Sequence, residues 1–237
     1  MKIIELENYD ALSRAAADQI ISALEKNKSA LICAATGNSP TGTYGLLKNH
    51  FDLHPELFSD LRIIKLDEWG GLPLDDPSTC ESYLVKHLTG PLQITAGRYI
   101  SFQSNPEDPA RECDRIQREL SLAGPIDLCI LGLGVNGHLA LNEPGAFLVA
   151  GPHKAELSET SLMHPMIERK GGKPSFGLTL GMADILRSAC ILFLVSGSKK
   201  KDILSDLMNR QISTSLPASF LWLHPNVVCL IDRNVRL

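Results

Sequence analysis

The chain has 237 residues, of which 44% are hydrophobic, 5% aromatic and 21% charged, and its formal net charge is −4. This is the composition of an ordinary globular protein, and the acidic balance argues against a general nucleic-acid-binding surface. No apolar run reaches the roughly 18 residues that span a bilayer. The N-terminal segment becomes acidic too early for a secretory signal. We therefore expect a soluble, cytoplasmic protein that binds neither nucleic acid nor a membrane.

Apolar runs in the sequence predict strands, and amphipathic runs between them predict helices. In chain order, the predicted strands cover residues 2–6, 29–34, 61–66, 98–102, the apolar start of 127–145, 176–180, 190–195 and 227–232. The predicted helices cover residues 11–27, 41–48, 80–88, 109–122, 161–168, 182–186, a stretch ending near 208, and 217–223.

The alternation of these elements determines the predicted fold class. The strands are solidly apolar rather than alternating in polarity, which is typical of parallel sheets covered on both faces. We therefore expect an α/β fold, with a mostly parallel, doubly wound sheet in three Rossmann-like layers. No repeat, low-complexity tract or linker interrupts the chain, so a single domain is expected over residues 1–237.

The six cysteines occur without any CxxC spacing. Cys33, Cys129, Cys190 and Cys229 lie inside apolar strand-like runs, where a free thiol acts as a small hydrophobic group. Cys80 lies in a polar loop beside a candidate site, and we interpret it as a bystander there.

Polar residues follow the ends of several predicted strands. In a parallel sheet these ends lie along one edge, which is where open α/β sheets bind ligands. We therefore expect one shared site, although its residues are far apart in sequence. The four polar segments are Thr36-Gly37-Asn38-Ser39, Asp67-Glu68, the loop from Asn136 to Glu143, and the loop from Ser196 to Lys201.

The first segment runs into the N-terminus of a predicted helix. Its hydroxyls, its backbone N–H groups and the helix dipole suit a phosphate group. The GKS or GKT ending of a P-loop is absent, and an ordinary strand-to-helix turn is the alternative. The run Lys199-Lys200-Lys201 supplies positive charge at another strand end, although such a run can also be a solvated face.

Two further segments carry acid–base candidates. Asp67 ends an apolar strand beside Trp69, where a carboxylate can have a raised pKa and act as a general base; the alternative is a carboxylate that orders the loop. His138 is an acid–base candidate, with Glu143 placed to orient it. The G-x-S-x-G pattern of a hydrolytic triad and the HExxH spacing of a metal site are both absent.

The glycines at positions 132, 134 and 137 formally match the nucleotide-binding pattern G-x-G-x-x-G. That pattern should open a long helix, with an acidic residue at the end of the next strand. Here Asn142, Glu143 and Pro144 interrupt any helix almost at once, which argues against nicotinamide binding.

The stretches ATGNSP, LDEWGGLP and GLGVNGHLALNEPG together resemble the glucosamine-6-phosphate deaminase/isomerase family, which shares its fold with 6-phosphogluconolactonase. The resemblance covers nearly the whole chain in the same order. Finer details, such as LPL, TCE and PASFLWLH, resemble the galactosamine-6-phosphate isomerase (deaminating) branch.

The resemblance implies an aldose–ketose isomerisation with deamination of an amino-hexose 6-phosphate. The ring opens, a proton moves between C2 and C1, and ammonia leaves. Galactosamine-6-phosphate, giving tagatose-6-phosphate, is the preferred substrate, with glucosamine-6-phosphate, giving fructose-6-phosphate, close behind. The small-molecule sugar phosphate is then the only partner, and no metal or organic cofactor is required.

The same resemblance assigns roles to residues. Asp67 is the proton-transferring base, and His138 assists ring opening with the support of Glu143. Lys200 and the loop of Thr36, Gly37, Asn38 and Ser39 hold the phosphate.

The chain departs from the family in two residues. Asn136 stands where many glucosamine-6-phosphate deaminases have Asp, and a substrate hydrogen bond is its expected role. The family's phosphate-binding Arg has no clear counterpart, and ungapped matching places His164 near that position. The short C-terminal end predicts a monomer or a small homo-oligomer.

Two other functions remain open from the sequence. Lactone hydrolysis on the same scaffold needs His138 to activate water but does not need Asp67 as a carbon base. A sugar-phosphate-sensing domain of a transcription regulator would need a DNA-binding segment, whereas the first predicted strand begins at residue 2.

Overall fold

The computed structural model describes residues 1–168 and 173–235, and these form ten strands in two sheets with helices packed around them. The strands are β1 (Lys2–Leu6), β2 (Leu31–Ala34), β3 (Arg62–Lys65), β4 (Asp67–Gly70), β5 (Tyr99–Ile100), β6 (Leu128–Gly132), β7 (His153–Ala155), β8 (Phe176–Thr179), β9 (Cys190–Val195) and β10 (Val227–Asp232). The α-helices are α1 (Tyr9–Lys26), α2 (Asn38–Leu53), α3 (Cys80–Leu84), α4 (Pro109–Ala123), α5 (Glu159–Leu162), α6 (Pro165–Glu168), α7 (Met182–Leu186) and α8 (Lys201–Met208).

The larger sheet has seven strands in the order β1-β10-β9-β6-β2-β3-β5, and every neighbouring pair is parallel. Helices lie on both sides of it, because parallel strands require crossover connections that pack back onto the faces. The inner strands are buried along nearly their whole length. The predicted α/β class with a mostly parallel, doubly wound sheet is confirmed.

A second, antiparallel sheet of three strands was not predicted; its order is β4-β8-β7. The predicted strand at residues 176–180 forms β8 in this smaller sheet, and β7 lies in a stretch where no strand was predicted. The two sheets meet at Leu66. Its N–H donates to Ala34 O in the larger sheet (3.2 Å), and its carbonyl accepts from Leu180 N beside the smaller one (3.0 Å).

Two helical segments also differ from the sequence prediction. Helix α2 extends from Asn38 to Leu53, beyond the predicted 41–48, and Pro40 lies in its first turn, where a missing N–H costs nothing. The predicted helical stretch 161–168 is two short helices, α5 and α6, with His164 in the break between them.

The buried interior is built mainly from the larger sheet and the helices against it. None of the six cysteines, all of which the structure describes, forms a disulfide, and Cys190 alone among them is partly exposed, which confirms the prediction that they are thiols. None of the helices within 1–168 and 173–235 has the length and apolar character to cross a membrane.

The carboxyl ends of β9, β6, β2 and β3 are neighbours along one edge of the larger sheet. The loops that follow them are therefore brought together, as the sequence predicted.

Candidate active site

The loop between β2 and α2 is held in shape by side chains around it. Gly37 has a φ of 100°, a conformation that favours glycine. Its carbonyl accepts hydrogen bonds from Thr41 Oγ1 (2.8 Å) and from the hydroxyl of Tyr83 (2.8 Å). The next carbonyl, of Asn38, accepts one from the hydroxyl of Tyr9 (2.6 Å). The loop thus presents the first turn of a 16-residue helix to the site edge.

The loop after β9 contacts this first loop. The hydroxyl oxygens of Ser39 and Ser196 are 2.9 Å apart. Lys199 and Lys201 are exposed, whereas Lys200 is half-buried. Burial, and then the charge of Lys199, lower the pKa of Lys200 to about 8. Lys200 is therefore distinguished from its neighbours by its burial, and its charge acts on His164.

Asp67 is the first residue of β4, directly after the Leu66 junction, rather than the last residue of a strand as predicted. Burial raises the pKa of Asp67 from its ordinary 3.8 to about 6, and the charge of Glu68 acts in the same direction. His138, a hydrogen bond from Cys80 and Lys65 oppose this rise. Asp67 is thus a carboxylate that can take up and release a proton near neutral pH.

The glycines of the third loop make room for its functional side chains. A Cβ on Gly134 would lie 2.4 Å from the His138 ring, so only glycine allows the ring to lie there. Gly137 has a φ of 86°, and a Cβ there would lie 2.3 Å from Leu216. These glycines therefore allow the side chains of His138 and Leu216 to lie where they do.

Glu143 is the centre of the polar contacts in this loop. Asn136 Nδ2 donates to Glu143 Oε2 (2.8 Å), Ser161 Oγ donates to Glu143 Oε1, and Asn136 Oδ1 accepts from the His138 backbone N–H (3.2 Å). Burial acts to raise the pKa of Glu143, but His138, Ser161 and Asn136 together lower it to about 2. Glu143 is therefore ionised across the whole neutral range.

The His138 ring faces Glu143, with Nδ1 3.4 Å from Oε2. The alignment is not that of a hydrogen bond, and Nδ1 has no other partner among residues 1–168 and 173–235. The contact places the imidazole ring beside an ionised carboxylate, at the long separation often seen before a substrate tightens such contacts.

His164 lies against the first loop, with Nε2 3.6 Å from the position of a Cβ on Gly37. Burial lowers the pKa of His164 to about 4, and the charges of His138 and Lys200 act in the same direction. His164 is therefore neutral at neutral pH. Its Nδ1 accepts from Met166 N (3.3 Å), which places the ring proton on Nε2, facing the loop.

The structure thus brings the residues predicted for the site to one sheet edge. Sequence reasoning missed several side chains that hold the site together: Tyr9 and Tyr83 on the first loop, Ser161 on Glu143, and Lys65 on Glu68, the neighbour of Asp67. Tyr9, Tyr83 and Ser161 lie in helices distant in sequence from the loops that they contact, and no local pattern marked them. Lys65 did carry a signal, because a lysine at the end of an apolar strand needs a buried partner.

Within residues 1–168 and 173–235, no group of three or more His, Cys, Asp or Glu side chains is arranged to hold a metal ion.

The family model of glucosamine-6-phosphate isomerases and 6-phosphogluconolactonase matches residues 6–229. The chain belongs to this family. Similar curated proteins include “Putative deaminase AgaI” of Escherichia coli (strain K12), 41% identical over 96% of this chain and 90% of the relative. The glucosamine-6-phosphate deaminase of Geobacillus sp. (strain WCH70) is 33% identical over 99% of this chain and 94% of the relative.

Solved structures give the same assignment. The chain of a monomeric glucosamine-6-phosphate deaminase of the NagB superfamily is 32% identical, with a TM-score of 0.92 over 99% of this chain and 98% of that one. The 6-phosphogluconolactonase from Trypanosoma brucei is 22% identical, with a TM-score of 0.77 over 99% of this chain and 97% of that one, which shows the shared fold. The predicted family and the prediction that the chain is an enzyme are confirmed.

Proposed function

We propose that this enzyme isomerises and deaminates an amino-hexose 6-phosphate, giving a ketohexose 6-phosphate and ammonia. The site provides a loop suited to phosphate, an ionised carboxylate paired with a histidine, and a second carboxylate able to exchange a proton. The names of the 41% and 33% identical relatives support deamination.

The 6-phosphate binds at the loop Thr36–Ser39. Backbone N–H groups at the start of α2 donate to it, and the Lys200 ammonium supplies charge. The Nε2–H of neutral His164 adds a hydrogen bond without adding charge. Because the loop carbonyls already have hydroxyl partners, the loop keeps its shape when the site is empty.

Ring opening is the task of His138 and Glu143. The ring oxygen must gain a proton as its bond to C1 breaks, and the C1 hydroxyl must lose one. The His138 ring, which lies against ionised Glu143, supplies and removes these protons. Asn136 fixes Glu143 by one hydrogen bond and the His138 backbone by another, so it is a support of this pair.

Asp67 then moves the proton along the open chain. It removes the proton from C2, which bears the amine, while the C1 carbonyl oxygen takes up a proton, and it then returns the first proton to C1. The C2 nitrogen gives up one proton as it becomes an imine, which balances the one gained by the C1 oxygen. The imine takes up one water and releases ammonia to leave the ketone at C2. The observation that carries this assignment is the half-buried Asp67 carboxylate, whose pKa of about 6 lets it both accept and return a proton near neutral pH.

The preferred substrate is galactosamine-6-phosphate, with glucosamine-6-phosphate close behind. The LPL, TCE and PASFLWLH stretches and Asn136 support this preference, because they resemble the galactosamine branch. We expect the enzyme to act as a monomer or a small homo-oligomer.

Ammonia release from galactosamine-6-phosphate and glucosamine-6-phosphate, measured beside hydrolysis of 6-phosphogluconolactone, tests the proposal. We expect ammonia from both amino sugars without added metal or nucleotide, a higher kcat/KM for the galacto epimer, and no lactone turnover. Lactone hydrolysis without ammonia would assign the chain to the other activity of its family. A higher kcat/KM for the gluco epimer would overturn only the preference.

A further inference from the structure

Glu68 follows Asp67 in β4 but its side chain points to the opposite face, as strand geometry requires. Its carboxylate is fully buried. Oε1 accepts the backbone N–H of Trp69 (2.7 Å) and of Cys80 (2.7 Å). Oε2 accepts the backbone N–H of Glu81 (2.9 Å) and the Lys65 ammonium (2.7 Å). Every lone pair of Glu68 is thus engaged, and the carboxylate joins β3, β4 and the first turn of α3.

This arrangement brings the Cys80 thiol to the candidate base. Cys80 Sγ lies 3.7 Å from Asp67 Oδ1 and 3.5 Å from Thr36 Oγ1. Burial raises the pKa of the Cys80 thiol well above its ordinary value, as do the charges of Glu68 and Asp67. The thiol therefore stays protonated and can donate to the Asp67 carboxylate, while it accepts from Thr36.

We propose that Glu68 and Cys80 are positioning residues for Asp67. Glu68 holds the start of α3 against β4, and the thiol held there donates the hydrogen bond that orients the Asp67 carboxylate. This inference rests on the proposed function, in which Asp67 transfers the proton. It replaces the interpretation of Cys80 as a bystander, because a bystander would not contact both the base and Thr36, the first residue of the phosphate loop (Thr36–Ser39).

The two residues act on Asp67 with opposite electrostatic sign. Glu68 brings negative charge beside Asp67 and disfavours its ionised form, whereas the Cys80 hydrogen bond favours it. The other titratable or charged groups near Asp67 come from four further elements: Lys65 of β3, His138 of the loop after β6, Cys33 of β2 and Tyr44 of α2.

Substitution of Cys80 tests the hydrogen bond. The acid limb of the pH profile of kcat/KM reports the pKa of the base in the free enzyme. In Cys80→Ala we expect this limb to move to higher pH by roughly half a unit to one unit and kcat to fall about tenfold. Cys80→Ser keeps a donor and should return the limb close to its wild-type position. Cys113→Ala is the matched control, because that thiol lies on α4 with Glu112 and Asp114 as neighbours.

Substitution of Glu68 tests the other half of the proposal. Glu68→Gln removes the negative charge but keeps the shape of the side chain. We expect the acid limb to move to lower pH, opposite to Cys80→Ala, and kcat to fall about 10- to 100-fold because the start of α3 is held less firmly. KM should change less than kcat, since no residue of the Thr36–Ser39 loop and neither tyrosine that donates to its carbonyls is replaced.

Displacements of the acid limb in opposite directions in Cys80→Ala and Glu68→Gln would support the proposal. A purely structural role of these residues would lower the stability of the variants without moving the acid limb. If the acid limb keeps its wild-type position in both Cys80→Ala and Cys80→Ser, the proposal is overturned, even if Glu68→Gln fails to fold. Asp67→Asn, measured in parallel, separates the two claims. If it is inactive while both Cys80 variants behave as wild type, only the positioning role fails; if it retains turnover, the proposed base fails.

Discussion

Asp67 and Glu68 are adjacent carboxylates with opposite environments. Glu68 is fully buried and has a hydrogen-bond partner for each of its lone pairs, one of them from Lys65. Asp67 is half-buried at the sheet edge, and its one side-chain hydrogen-bond donor is a thiol among the residues that the structure describes. A buried carboxylate with few donors is costly to ionise, so its proton is available for exchange near neutral pH. One position along a strand thus separates a structural carboxylate from a reactive one.

Asp67→Asn should reduce turnover and yet not destabilise the fold. The pKa of Asp67 is raised from 3.8 to about 6, so the folded protein holds the proton more tightly than the unfolded chain. The stabilisation from this protonation is fully present below pH 3.8 and is lost as the pH rises through 6. The amide of Asn has no proton to lose in this range, so the variant does not lose this stabilisation as the pH rises. At pH 8 we expect the variant's Tm to equal or exceed that of the wild type, while ammonia release falls about 10²- to 10⁴-fold.

Binding provides the control for this variant. A sugar 6-phosphate should still raise the Tm of Asp67→Asn, because the phosphate loop is unchanged. Near-normal turnover would show that another group transfers the proton.

At the scale of elements, the phosphate loop depends on side chains from two helices. Tyr9 begins α1, and Tyr83 lies in α3. The hydroxyl of Tyr9 donates a hydrogen bond to the carbonyl of Asn38, and the hydroxyl of Tyr83 donates one to the carbonyl of Gly37. With those carbonyls held on the protein side, the N–H groups at the start of α2 remain directed toward the site. The anion-binding character of the loop is therefore a property of three helices together.

Tyr83→Phe tests this dependence. The lost hydroxyl contacts Gly37 O (2.8 Å) and Thr41 Oγ1 (2.7 Å), and a hydrogen bond of this kind contributes about 0.5–1.5 kcal/mol. We expect KM for the sugar phosphate to rise about 2- to 12-fold with kcat nearly unchanged. Tyr99→Phe is the matched control, since that hydroxyl contacts Glu81 instead (2.9 Å). Equal KM values in the two variants would contradict the role of Tyr83.

Much of the parallel sheet was predictable from the sequence, because its strands are apolar runs followed by glycine-rich or polar loops. The convergence of Thr36, His138 and Lys200 followed from the parallel topology alone. The smaller sheet was not predictable, because β4, β7 and β8 are short and their pairing depends on contacts across long stretches of chain. For the same reason the sequence placed Asp67 at the end of a strand, although it begins one.

At the scale of the whole molecule, Glu143 of the site makes the free energy of unfolding depend on pH. Hydrogen bonds and the charge of His138 lower the pKa of Glu143 from 4.5 to about 2 against the opposing effect of burial. The unfolded chain therefore binds this proton more readily than the folded protein. The stabilisation is present above pH 4.5 and is lost as the pH falls toward 2, which is the opposite sign to Asp67.

Glu143→Gln tests the contribution of the Glu143 charge to the free energy of unfolding. We expect the variant to be less stable than the wild type by about 1–3 kcal/mol at pH 7, and the difference to shrink as the pH falls to about 3. Denaturant unfolding at both pH values measures it. Glu159→Gln, at an exposed residue of α5, is the control. A deficit that is constant with pH would mean that Glu143 stabilises the fold by packing and not by charge.

The junction at Leu66 has a consequence for the length of substrate that we expect in the proposed reaction. The phosphate loop follows a strand of the larger sheet, whereas Asp67 begins the smaller one, and Leu66 is hydrogen-bonded on both sides between them. The distance from the phosphate site to the base is therefore fixed by the backbone, and the sugar has to be long enough to reach both. A hexose 6-phosphate has four carbons between C2 and its phosphate oxygen, and a pentose 5-phosphate has three. In the proposed reaction we therefore expect the shorter sugar, when held by its phosphate, to end one carbon short of Asp67 and to be a poor substrate.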